Sequence, residues 1–169
     1  MLMIALRLLH IVLGVFWAGA AFVTASFLLP SAQAAGPASG PMMKQLIVVR
    51  KMPVVIMFAA ILTVLSGFGM YWYDNSRSNG SFARSAQGMT LGLGGVLALL
   101  TVGLGMGIIT PAGKKLTALT AAIGAAGGPP TAEQAKTMAA LQGRMMAGSR
   151  AAAALILIIV ITMAIARYL

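Results

Sequence analysis

The stretch IALRLLHIVLGVFWAGAAFVTASFLL, residues 4–29, decides how this chain is read. It is long enough to cross a bilayer, since about 20 apolar residues span the hydrocarbon core as a helix. Yet it carries Arg7 near its start and, one turn further in, His10, the sole histidine of the protein. An ionisable or ligating side chain at membrane depth points to function, because burying it there is costly. His10, Gly14, Ala18, Ala21 and Ala25 recur at three- and four-residue steps and so share one helix face. Trp17, seven residues beyond His10, belongs to the same side. Small residues on such a face let a neighbouring helix or a flat ligand approach the backbone.

Composition extends this reading to the whole chain. Of 169 residues, 60% are hydrophobic and 8% charged, with a mean hydropathy of +0.95. Soluble domains carry about 25% charged residues, so a water-soluble globule is excluded. The net charge of +10 sets twelve Lys and Arg against Asp74 and Glu133 alone. These cations flank apolar runs, which points to membrane topology and anionic lipid headgroups as partners and not to nucleic acid. The absence of cysteine removes disulfides, thiolate metal sites, iron–sulfur clusters and covalently attached haem. Arg7, the apolar run and Ala32-Gln33-Ala34 imitate a secretory signal. The run exceeds a signal core of about 7–15 residues, so it is expected to remain as the first span.

Three further spans follow, at about 53–73, 88–110 and 151–168. The expected fold is therefore all-α, an integral-membrane four-helix bundle forming one domain. Pro30 to Gly40 reads as a loop with Pro30 and Pro37 as breakers. Pro41 opens a helix running to Tyr73, kinked at Pro53, and Tyr71-Trp72-Tyr73 marks an interfacial belt. Asp74 to Gln87 reads as a short solvent-exposed connection. Gly88 with Gly92, and Gly103 with Gly107, form G-x-x-x-G pairs that predict close packing on that face of the third span. Beyond Pro111 the apolar positions keep helical spacing, Gly127-Gly128-Pro129-Pro130 is a turn, and Thr131 with Gln134 fits a capping box. Spans three and four are thus expected to continue over 111–150 as a helical hairpin. The first and third connections hold eight Lys and Arg and the opposite side four, which predicts a cytoplasmic hairpin and both termini outside.

No paired carboxylates, hydrolase triad or phosphate loop is present, so no catalytic constellation is expected. His10 either ligates something or hydrogen-bonds a neighbouring helix. As a ligand it suits haem iron, with Arg7 one turn toward water as a propionate partner and Met70, Met89 or Met163 at similar depth as a thioether. The thirteen methionines also allow a copper carrier, although their clusters fall in separate segments and flexible apolar filling explains them.

Leu9-His10, six residues, then Trp17-Ala18-Gly19 resembles the opening helix of the copper-resistance D-type membrane domain and of the HemJ-type protoporphyrinogen oxidases. The whole chain is similar to uncharacterised bacterial four-helix membrane proteins, with a Gly-Pro-rich first connection and Leu-Ser-Gly-Phe-Gly-Met-Tyr-Trp closing the second span. The resemblance implies a bundle in the bacterial cytoplasmic membrane that holds b-type haem in electron transfer or haem handling. Only the first-helix histidine carries over, making His10 the axial ligand; Arg7, Trp17 and Met70 join the candidate haem site from their own spacing and depth. No second histidine exists, so haem held by two histidines of this one chain is excluded. The first expectation for function, given no catalytic constellation, is an accessory or assembly subunit of a larger bioenergetic complex, packed against other membrane subunits; the haem protein is the alternative.

Overall fold

A computed structural model describes all residues, 1–169. Seven α-helical segments, α1 (Leu2–Val23), α2 (Leu29–Ala35), α3 (Gly40–Lys44), α4 (Met52–Arg77), α5 (Ala86–Leu104), α6 (Thr110–Ala126) and α7 (Ala132–Ile165), form the chain with no strand. Short π or 3-10 turns join several of them, so that four continuous helical runs are long and apolar enough to cross a membrane. The protein is a multi-pass, all-α four-helix bundle.

The bundle is antiparallel, and small residues set its register. A Cβ placed on Gly69 would stand 3.5 Å from Leu6, one on Gly67 would stand 2.9 Å from His10, and one on Gly14 would stand 3.4 Å from Thr63. Residue numbers thus rise along α1 as they fall along α4. α5 packs on α7 in the same way, α4 meets α5, and α1 closes the ring on α7. The core where all four meet consists of Trp17, Ala59, Ala60, Ala98, Ile156 and Ile159. Only 20 of 169 residues are buried, while large apolar side chains such as Val15, Phe58, Leu65, Leu100 and Ile161 face outward. That inverted surface is what lipid solvates and water does not.

Four expectations are corrected. The proposed loop 30–40 is largely helical: Pro30 opens α2 just after a π-helical turn that accommodates its ring, and Pro41 sits in the first turn of α3. Alanine, the best helix former, fills much of α2, and the chain turns only at Gly36 with φ +54°. The helix expected from Pro41 to Tyr73 is broken, not kinked. Lys51 takes the left-handed conformation (φ 51°) and Pro53 becomes an opening residue of α4. The break removes the clash a proline ring makes with the carbonyl four residues back.

The Asp74–Gln87 connection is partly buried. α4 runs on to Arg77, Asn75 Oδ1 accepts from Ala83 N–H at 3.1 Å, and Phe82 meets Tyr71 edge-on at 5.4 Å. Of the two glycine pairs, Gly88 abuts the Phe82 backbone and Gly92 faces Tyr71, but nothing stands within 4 Å of Gly103 or Gly107.

The helical hairpin is present. α6 continues α5 through Pro111, turns at Gly127 (φ 70°) and packs on the first part of α7. Thr131 Oγ1 accepts from Gln134 N–H at 3.3 Å while Gln134 Oε1 accepts from Thr131 N–H at 2.9 Å, completing the capping box.

Gly148 of α7 is held against α5's continuation, a Cβ there standing 2.9 Å from Ile109. Gly148→Ala is expected to destabilise the bundle by about 1–3 kcal/mol through overpacking. Gly95→Ala, with nothing within 4 Å, should change it by less than about 0.5 kcal/mol. Thermal unfolding of both variants in detergent checks the pair.

Candidate functional site

His10 is fixed by α4. Its Nδ1–H donates to the Thr63 carbonyl at 2.8 Å, since a carbonyl can only accept. Ser66 Oγ, whose hydrogen goes to the Leu62 carbonyl at 2.7 Å, lies 3.4 Å from Nδ1 as a second, weaker acceptor. Gly67 leaves room for the imidazole edge, which a methyl group would foul at 2.9 Å. Thr63 and Ser66 are buried because their hydroxyls turn back onto α4, Thr63 Oγ1 donating to the Ala59 carbonyl at 2.8 Å. In the neutral imidazole this places the hydrogen on Nδ1 and the lone pair on Nε2. A histidine that ligates metal is oriented by the same kind of bond from its other nitrogen.

The other residues named from sequence differ in burial and position. The shared face is real: His10, Gly14, Trp17, Ala18, Ala21 and Ala25 are all turned inward. Arg7 is exposed, and Met70 is half-buried on α4, seven residues from Thr63. Trp17 is 7% exposed and belongs to the four-helix core, about two turns from His10 along α1. No group of three or more His, Cys, Asp or Glu is placed to hold a metal ion.

A second site lies deeper, away from His10. A cavity of about 160 Å³ opens between all four spans on the side of the first and third connections. Trp17, Thr24, Met57, Ala60, Thr101 and Ser149 are among its lining residues, and His10 is not. The first and third helical runs widen into π-helical turns at Thr24–Leu28, Gln45–Val49 and Gly105–Ile109, and all three turns border this cavity. Such turns concentrate at functional sites. In two of them the residue before a proline donates five residues back, Leu29 N–H to Thr24 O ahead of Pro30 and Thr110 N–H to Gly105 O ahead of Pro111. Slipping from four to five relieves the clash of the proline ring with the preceding turn. Proline in an apolar run was thus the signal available in the sequence.

Haem fits this structure only in part. The free Nε2 suits an iron ligand, but the interhelical cavity, walled in part by Trp17, is not lined by His10, Arg7 or Met70. No family model, curated protein or solved structure matches the chain.

The packing of His10 on Gly67 has a measurable signature. His10→Ala is expected to cost about 1–3 kcal/mol, by loss of a buried bond and its packing. Gly67→Ala should cost a similar amount by pushing the ring away from Thr63. In the double variant the added methyl occupies space the ring has left, so the combined cost should fall well short of the sum. Additive costs in a double-mutant unfolding cycle would show that the two positions do not share this contact.

Proposed function

We propose that this chain is an accessory or assembly subunit without catalytic chemistry of its own, packed against partner helices in a larger membrane complex. The supporting observation is the bare backbone at Gly103 and Gly107. Both are exposed in the third span, with nothing within 4 Å of either, flanked by exposed Leu99, Leu100 and Met106. Elsewhere the chain uses glycine for close helix contact at Gly67, Gly94 and Gly148. A glycine facing lipid gains no such contact, whereas a partner helix can approach it closely. The bioenergetic assignment, and the bacterial cytoplasmic membrane as the compartment, rest on the resemblance of the first span. The eight cations of the first and third connections support a cytoplasmic hairpin and termini on the periplasmic side.

Purification from native membranes in mild detergent is expected to retain a partner, and Gly103→Leu with Gly107→Leu to release it while leaving the bundle folded. A lone monomer under those conditions, with no neighbour captured by crosslinking in the membrane, would overturn the reading.

A second reading, b-type haem with His10 as axial ligand, is favoured by one observation, the Nε2 left free by the bond to Thr63. It requires a Soret band in the purified protein that His10→Ala removes. A protein purified after haem supplementation without such a band would rule it out.

A further inference from the structure

We infer that the interhelical cavity is a binding site for one acyl chain of an anionic amphiphile, with its carbonyl at Thr24 and its charge at Arg50 and Lys51. This does not depend on the partner reading above.

The first observation is an orphaned hydroxyl. Thr24 Oγ1 is the one buried side-chain polar atom in the structure without a hydrogen-bond partner, and Thr24 lines the cavity. Threonines at comparable helical positions return the hydrogen to their own helix, Thr63 to Ala59 at 2.8 Å and Thr101 to Leu97 at 2.8 Å. A buried hydroxyl left unpaired is costly, and a carbonyl oxygen from a ligand would satisfy it. Ser149, 7% exposed, adds a second hydroxyl to the wall from α7.

The second observation is the order of chemistries with depth. Arg50 and Lys51 are exposed and directly precede the lining residues Met52 and Pro53. The hydroxyls of Thr24 and Ser149 come next. Below them, apart from Thr101, whose hydroxyl is returned to Leu97, the wall is apolar to Trp17, seven residues from Thr24 along α1 and so about 10 Å deeper. Cation, hydroxyl, then hydrocarbon is the complement of an acidic lipid read from headgroup through carbonyl to chain. The 160 Å³ is comparable to a cavity of about 150 Å³ that takes up benzene, enough for part of a chain and too little for a diacyl pair. With twelve cations and two acids in the whole chain, at least ten cations have no acid of their own to pair with. An anionic head therefore meets uncommitted charge.

The protein carries its own probe. Trp17 lies in the cavity wall at 7% exposure, and the only other tryptophan, Trp72, is 77% exposed on the opposite side of the bundle. In Trp72→Phe protein in detergent, titration with phosphatidylglycerol or fatty acid brominated along the chain should quench Trp17 saturably. Brominated phosphatidylcholine should do so about tenfold more weakly or not at all. The stronger of the two anionic ligands identifies the source of the chain. Arg50→Gln with Lys51→Gln, both at exposed positions, should abolish the preference for anionic ligands. Thr24→Val should weaken binding about fivefold to tenfold, as expected for one lost hydrogen bond. Ala60→Leu should fill the cavity and stop the quenching, with its folding checked by circular dichroism. Quenching that does not saturate, or that is equal for phosphatidylcholine and unchanged by the Arg50/Lys51 and Thr24 variants, would overturn the assignment.

Discussion

Close approach of helix backbones is the constraint on which this protein depends. Two carboxylates cannot pair twelve cations, and apolar contact between helices gains little where lipid is the alternative. What remains is dispersion between closely packed backbones and the few hydrogen bonds that proximity allows. Ala59 and Ala60 in the core, Gly67 beneath His10, Gly94 beside Met163 and Gly148 beside Ile109 are the places where that proximity is achieved. The bond from His10 to the Thr63 carbonyl follows from it, because only a residue without a side chain at position 67 lets the imidazole reach the backbone of α4.

Proline supplies the opposite tendency. Pro30 and Pro111 sit within helical runs that do not stop for them, and the runs adjust by widening just before each ring. Pro53 follows a third widened turn and an outright break at Lys51. All three adjustments fall on the side of the first and third connections, and residues of each line the cavity. Close contact persists there between Gly148 and Ile109, so the cavity lies beside a tight helix crossing, with Trp17 at its inner wall.

The sequence disclosed the four spans, the hairpin, its capping box and the inward face of α1, since each rests on period or local chemistry. It placed a loop at 30–40 because proline and glycine were weighed as breakers, whereas the alanines between them and the first-turn positions of Pro30 and Pro41 favour helix. It named His10 correctly as an inward residue but gave no means of seeing that Thr63 and Gly67, 53 and 57 residues away, would receive it. The G-x-x-x-G pattern marked a surface without showing whether this chain or another molecule covers it. The cavity was out of reach because it depends on how three distant π-helical turns align, which no local pattern encodes.

The two arms of the hairpin differ in kind. α7 runs 34 residues without a break, about 51 Å, from the capped tip to the far end of the fourth span. Its companion α6 joins α5 through the widened turn at Gly105–Ile109, which Gly148 of α7 meets closely. That turn also borders the cavity. One side of the hairpin is thus a single regular rod, while the other changes its helical pitch at the very level where the bundle encloses a space.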